Sequence, residues 1–120
     1  MLVVDDNSDI AESTSLVLKL AGYEVKTVLS GQDAIDVAPA FQPAIVLLDI
    51  GMPGLDGYAV ARHLKGEPKL KDAWLIAVSG YGTAADRVRT KQAGFDRHLV
   101  KPVDPLVLQR LLGDLATTLH

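Results

Sequence analysis

Short apolar runs alternate with amphipathic segments along the whole chain. Candidate β-strands, some of them wholly apolar and some mixed, cover residues 2–5, 24–28, 44–49, 73–79 and 97–100. The segments between them have helical spacing and cover residues 8–21, 31–38, 57–65 and 83–93, with a further helix from Asp104. Strand and helix repeated in turn predict a parallel sheet with helices on both faces.

The predicted strands are of two kinds. The sequences AIVLLD and WLIAVS are continuous apolar runs, as expected for strands that helices cover on both faces. The sequence EVKTV mixes apolar and polar residues, which indicates an edge strand. Five strand–helix units in 120 residues match the flavodoxin-like, doubly wound α/β topology, a three-layer (βα)5 sandwich with strand order 2-1-3-4-5.

The ends of the helices carry recognisable capping signals. Asp9 and Glu12 fit a capping box for the first helix, although Asn7 or Ser8 could cap it instead. We expect this helix to bury one face, which carries Ile10, Val17 and Leu20. We expect Pro39 to close the second helix, and the last helix to begin with Pro105 and to bury Leu108, Leu111, Leu112 and Leu115.

Composition excludes several classes of function. The net charge is −3 and the basic residues form no run, so binding of nucleic acid through a basic face is not expected. The absence of cysteine excludes disulfides, zinc thiolate sites and thiol catalysis. No apolar stretch reaches the length of a membrane span, so we expect a single cytoplasmic domain over residues 1–120 without membrane contact.

Polar side chains follow four of the predicted strands. Asp5 and Asp6 end the first strand, Asp49 the third and Ser79 the fourth, and Lys101 follows the fifth. A single Asp in such a place usually caps a helix or stabilises a turn. Three carboxylates at one edge of a sheet would repel each other, and Mg²⁺ removes that conflict because it prefers carboxylate oxygens and leaves room for a phosphate.

This cluster predicts phosphoryl chemistry. Asp49 is the candidate nucleophile, because a carboxylate can form an aspartyl phosphate. Lys101 and the metal ion would stabilise the negative charge on the phosphoryl oxygens, and Ser79 would donate a hydrogen bond to them.

Four motifs carry a resemblance to a known family. They are VVDDN, LLDIGMPGLDGY, VSGYG and LVKPVD, and they occur in this order along the chain. The chain resembles the receiver domain of two-component response regulators over essentially its full length. The resemblance implies that Asp49 accepts a phosphoryl group from a phosphohistidine, and that Asp5, Asp6 and the carbonyl of Gly51 hold Mg²⁺, with Mn²⁺ as a substitute.

The resemblance also implies roles for residues after the fourth and fifth strands. Lys101 would pair with the phosphoryl oxygens, Ser79 would move to bond them, and the Lys101–Pro102 peptide bond would be cis. The partner would be a histidine kinase or a histidine phosphotransfer protein. Phosphorylation would switch the face formed by the fourth helix, the fifth strand and the fifth helix. The protein would be a monomer or a weak, phosphorylation-dependent dimer.

Three positions depart from the commonest pattern of that family. The position often held by Tyr or Phe is His98, read either as a half-exposed strand residue or as a smaller rotating switch with sensitivity to pH. Gly51 offers no side chain near Asp49, and Tyr81 is a large residue that would shield the site. The lifetime of the phosphoryl group therefore does not follow from the family.

Several functional alternatives stay open from the sequence. The segments DIGMPGLDGYAVARHL and GFDRHLVKPVD are similar to receivers of hybrid sensor histidine kinases, and a stand-alone response regulator is the alternative. An aspartyl-phosphate phosphatase would carry its nucleophile as DxD on the first strand, which here has DD. A dinucleotide-binding module would need a glycine-rich first turn, which DDNSD is not. A module acting through contacts alone would not need the intact acids.

Overall fold

Five parallel strands form one sheet in the computed structural model, which describes residues 1–51, 56–80 and 84–116. The strand order is β2-β1-β3-β4-β5, which confirms the predicted doubly wound topology. The strands are β1 (Leu2–Val4), β2 (Lys26–Val28), β3 (Ile45–Asp49), β4 (Trp74–Ser79) and β5 (Arg97–Val100). The mixed strand β2 lies at an edge, and β3 is buried throughout.

Helices cover both faces of this sheet. They are α1 (Ser8–Leu20), α2 (Gly31–Phe41), α3 (Gly57–Lys65), α4 (Ala84–Ala93) and α5 (Pro105–Ala116), with a short 3₁₀ turn at Pro68–Leu70. One apolar core joins the sheet to α2, α3 and α4, and a separate core joins it to α1 and α5. None of the described helices is both long enough and apolar enough to cross a membrane.

The first helix buries a different face from the predicted one. Ala11, Ser15 and Leu18 are buried, whereas Ile10 is 42% exposed and Leu20 is 79% exposed. The prediction followed the largest apolar side chains, but α1 packs closely on the sheet through small residues. Of the candidate caps, Asn7 caps the helix, because its side-chain Oδ1 accepts from the backbone N–H groups of Asp9 and Ile10.

The second helix does not end before Pro39. It continues to Phe41, and the backbone N–H of Gln42, which has a left-handed φ of 48°, donates to the Ala38 carbonyl. Proline removes one backbone donor, but this loss falls in the last turn and the buried face of Ala34 and Ala38 still packs on the sheet. Burial therefore outweighs the local signal of proline here.

The remaining predictions agree with the structure to within a few residues. β1 and β2 are shorter than predicted, and β5 has the predicted bounds. The last helix begins at Pro105 and buries Leu108, Leu112 and Leu115 as expected, whereas Leu111 is only partly buried. The loop residues 52–55 and Tyr81, which the sequence singles out, lie outside the described residues.

Candidate functional site

Strand register brings three carboxylates together at the carboxyl edge of the sheet. Val4 of β1 pairs with Leu48 of β3, so Asp5 and Asp49 follow side by side, with Asp6 next in the chain. Asp5 and Asp49 are buried and Asp6 is exposed, and one oxygen from each of the three lies within 4.8 Å of the others. The predicted acidic residues therefore meet in one cluster.

Backbone amides fix the two buried carboxylates. Asp5 Oδ1 accepts from the N–H of Asn7 at 2.9 Å, and Asp49 Oδ1 accepts from the N–H of Gly51 at 2.8 Å. Each is a bond from residue i+2 to an aspartate side chain, which is the pattern of an Asx turn. From the sequence, Gly51 was expected to act only through its carbonyl; its amide contact was not predicted, although the Asx pattern is a signal that could have revealed it.

Lys101 supplies a cation to the same cluster. Its Nζ lies 2.7 Å from Asp49 Oδ2 and 3.4 Å from Asp5 Oδ2. The backbone N–H of Lys101 donates to the Ser79 carbonyl at 2.7 Å, and the Lys101–Pro102 peptide bond is cis. The Lys101 side chain is thus anchored at its base by β4 and at its tip by both buried carboxylates.

The pKa values of Asp5 and Lys101 are both raised, but for different reasons. Desolvation raises the pKa of Asp5 above its usual value, against the Asn7 N–H and the charge of Lys101, while the Asp49 charge adds to the rise. Burial alone lowers the pKa of Lys101, but its hydrogen bond to Asp49 and the charges of Asp49 and Asp5 raise it overall. Lys101 is therefore firmly protonated, and the cluster carries an excess of negative charge.

The donor set fits a small divalent cation. Three carboxylates with one ammonium leave two net negative charges within a few ångströms, and Asp6 is open to solvent. Mg²⁺ prefers such a set, since it takes one or a few carboxylates and keeps several waters. Burial, with a further contribution from the Asp49 charge, raises the pKa of Asp5, and a bound cation would favour its ionised form.

Ser79 lies beside this cluster and contacts a residue whose role the sequence left undecided. Ser79 of β4 is buried, and its Oγ lies 2.7 Å from Nε2 of His98 in β5. Ala77 pairs with His98, so Ser79 and His98 are diagonal neighbours on the same face of the sheet. The sequence analysis singled out both residues but did not predict their contact.

An apolar cavity of about 500 Å³ opens next to the carboxylates on the α1 side of the sheet. Asp5, Asp49 and Lys101 contribute to its wall, and the rest is mainly apolar. Its apolar lining includes Val3, Ile10, Leu47, Leu99 and Val103. The cavity therefore gives an approach to Asp49 from between α1 and the start of α5.

The geometry of this site agrees with the family match of the chain. Residues 1–112 match the family described as the response regulator receiver domain. The chain belongs to this family. Receiver domains are phosphoacceptors of two-component signalling and work with histidine kinases or histidine phosphotransfer proteins.

Relatives of this receiver domain include a longer regulator and a chemotaxis protein. The chain is 36% identical over 115 residues to the probable transcriptional regulator ycf27 of Cyanophora paradoxa. This alignment covers 96% of the chain and 47% of the relative. The chain therefore spans about half the length of this curated relative. The chemotaxis protein CheY4 of Vibrio cholerae is similar in structure, with a TM-score of 0.90, 26% identity and coverage of 94% of both chains.

A further similar structure bears on the metal. The receiver domain of the sensor histidine kinase PA1611 from Pseudomonas aeruginosa has a TM-score of 0.88 and 29% identity to this chain. The match covers 98% of this chain and 96% of the PA1611 receiver domain. The PA1611 structure has a magnesium ion coordinated in its active site cleft. This receiver domain has a cluster of three carboxylates, and the solved relative binds magnesium in its active site cleft.

The raised pKa of Asp5 leads to a prediction about stability. The pKa of Asp5 is higher in the native protein than the value of 3.8 that it has in the unfolded chain. Asp5 therefore contributes its full share to the free energy of unfolding below pH 3.8, and this contribution is lost as the pH rises through the native pKa. Without metal at pH 7, we expect Asp5→Asn to increase the free energy of unfolding of the receiver domain by about 1 kcal/mol, and by much less near pH 4. Urea denaturation in EDTA at both pH values measures this difference.

The matched control is Asp36→Asn, on the exposed surface of α2. Its effect should stay within about 0.5 kcal/mol at either pH. An Asp5→Asn variant that is less stable than the wild type at pH 7 in EDTA would contradict a net cost of keeping the buried Asp5 carboxylate ionised.

Proposed function

We propose that this receiver domain accepts one phosphoryl group on Asp49, with Mg²⁺ held by Asp5, Asp6 and Asp49. The observation that carries the proposal is the buried Asp49 carboxylate, held by the Gly51 N–H and Lys101 beside two further carboxylates. A structural ion pair needs only one acid for one base. The excess of acids supports a site for a cation and a phosphoryl group.

The chemistry follows from the groups that touch Asp49. A carboxylate oxygen of Asp49 attacks the phosphorus of a phosphohistidine, the new O–P bond forms, and the P–N bond breaks with its electron pair passing to the donor imidazole. Lys101 Nζ, already within 2.7 Å of Asp49, is close enough to turn to a phosphoryl oxygen. When bound, Mg²⁺ would neutralise the negative charge of the phosphoryl oxygens. The Gly51 N–H keeps the carboxylate oriented during the attack.

Phosphorylation would act on the face formed by α4, β5 and α5. The Ser79 hydroxyl, at the end of β4, would donate a hydrogen bond to a phosphoryl oxygen, and His98 of β5 is its neighbour. The new contact would favour one of two arrangements of this face by a differential affinity of about 1–3 kcal/mol.

The phosphoryl donor would be a histidine kinase or a histidine phosphotransfer protein. Its imidazole would reach Asp49 through the apolar cavity beside α1, whose walls include Ile10 and Val103. The relation of the chain to a hybrid kinase, a stand-alone regulator or a transcriptional regulator stays a prediction, as do its location in the cytoplasm and its state as a monomer or weak dimer. A longer relative such as ycf27 supports further domains in a parent protein.

Acetyl phosphate tests the proposed function without knowledge of the natural donor. With Mg²⁺, we expect the mass of the protein to increase by one phosphoryl group, and we expect no such increase in EDTA. Mn²⁺ should substitute for Mg²⁺. Intact-mass spectrometry measures the modification, and peptide mapping after reduction of the acyl phosphate should place it at Asp49. Modification that is independent of metal, or that lies at another residue, would refute the proposal.

A further inference from the structure

A side-chain hydrogen bond between Ser79 and His98 joins the end of β4, beside the acid site, to β5. Ser79 Oγ and His98 Nε2 are 2.7 Å apart, and Ser79 is only 5% exposed. A serine hydroxyl has one proton to donate, and a neutral imidazole nitrogen either donates or accepts. The direction of this bond therefore depends on which atom holds the proton between them.

Phosphorylation of Asp49 would fix that direction. If the Ser79 O–H donates to a phosphoryl oxygen, its only proton is used, and Ser79 Oγ can then only accept from His98. Nε2 of His98 must therefore carry a proton in the phosphorylated state. Either the neutral ring keeps its proton on Nε2, or the ring takes up a second proton from solvent and becomes an imidazolium.

Three described elements, β4, α4 and β5, set the charge around the pair. β4 contributes no ionisable side chain. On α4, the half-buried Asp86 lies on the same helix face as the buried Thr90, toward the sheet, while Arg87 is exposed. In β5, Arg97 is exposed and lies over the ring of Trp74, and the ammonium of Lys101, just after the strand, is bound to Asp49.

Phosphorylation replaces the singly charged Asp49 carboxylate by an acyl phosphate, which carries more negative charge and would be bonded by Ser79 on the side away from His98. We propose that His98 positions the Ser79 hydroxyl and binds a proton when Asp49 is phosphorylated. The inference rests on the proposed function, because the phosphoryl group is the charge that attracts the proton. By linkage, acid then favours the phosphorylated form as much as phosphorylation favours the protonated ring. The signal carried by this receiver domain would depend on pH in the range where histidine titrates.

Beryllofluoride, a mimic of the phosphoryl group, tests this inference on the intact chain with Mg²⁺. We expect the pH midpoint of the His98 ring signals in ¹H–¹⁵N spectra to rise by about one unit when the mimic binds. The mimic should accordingly bind up to about 10-fold more tightly near pH 5.5 than near pH 8. His63, on the exposed surface of α3, is the internal reference, and its signals should follow the same curve with and without the mimic.

Two variants separate a proton-linked role from a structural one. His98→Gln keeps a side-chain amide for Ser79 but does not titrate, so it should bind the mimic at a pH-independent affinity. His98→Phe removes the hydrogen bond, so it should lose the pH dependence together with the shift of the Ser79 amide signal on binding.

The outcomes distinguish this inference from the proposed function. If the wild type fails to bind beryllofluoride at Asp49, the proposed function is wrong. If it binds but the His98 midpoint does not move, or His98→Gln keeps the full pH dependence, the inference alone is overturned.

Discussion

Asp49→Asn should lose phosphorylation by acetyl phosphate entirely while it keeps the fold. The amide still fills the space of the carboxylate and its oxygen can still accept from the Gly51 N–H at the observed 2.8 Å. It is not a nucleophile toward phosphorus, however, and it offers Lys101 no negative charge. Intact-mass spectrometry with acetyl phosphate and Mg²⁺ should show a modified fraction at least about 100-fold below that of the wild type.

The control for this variant is Asp72→Asn. Asp72 is exposed just before β4, at the amino end of the sheet and away from the acidic cluster. It removes the same charge from the chain, so the modified fraction should equal that of the wild type. Full modification of Asp49→Asn would place the phosphoryl group elsewhere and remove the basis of the proposed function.

Lys101→Met should weaken both folding and phosphorylation. Two buried carboxylates, Asp5 and Asp49, would lose the ammonium that lies 3.4 Å and 2.7 Å from them. Removing one partner of a buried ion pair is costly, and with Lys101 29% exposed we expect a loss of about 2 kcal/mol in the free energy of unfolding at pH 7 in EDTA. The phosphorylation rate should fall about 100-fold, because one donor to the transferring group is missing.

The pH dependence gives this second prediction its sign. Without Lys101 the pKa of Asp5, already raised by burial, rises further, so the loss of stability is present while Asp5 is charged and disappears as the pH falls and Asp5 becomes protonated. Saturating Mg²⁺ should restore much of the stability, since it replaces the missing positive charge. Urea denaturation at pH 7 and pH 4, with and without Mg²⁺, measures these changes.

Lys65→Met is the matched control for Lys101→Met. Lys65 also makes an ion pair at 3.4 Å, with Asp96, but its side chain and that of Asp96 are 26% and 21% exposed and lie away from the acid cluster. We expect a loss of about 0.5–1 kcal/mol, little response to Mg²⁺, and phosphorylation at the wild-type rate. Equal behaviour of the two variants would mean that Lys101 has a structural role alone.

The fold and the membership of the acidic cluster could be predicted because both depend on order along the chain. Strands that alternate with helices must run parallel, and parallel strands bring their carboxyl ends to one edge. Asp5, Asp49 and Lys101 each follow a strand, so their proximity needs no knowledge of side-chain packing.

Other features depend on geometry that the order of residues does not contain. The Ser79–His98 bond requires the register in which Ala77 pairs with His98, and a shift of one residue would turn His98 to the other face. The packed face of α1 was mispredicted because close approach to the sheet selects Ala11 over the larger Ile10. Strand register and the packing of helices on the sheet determine these features.

The sheet divides the interior into two apolar cores that have no residue in common. Ser79 and His98 lie on the side of α2, α3 and α4, whereas the cavity that leads to Asp49 lies on the side of α1 and α5. Substitutions that remodel one layer therefore leave the packing of the other largely intact. Over evolutionary time, the α4 side of the proposed output face can diverge independently of the α1 side, by which the proposed donor would approach Asp49.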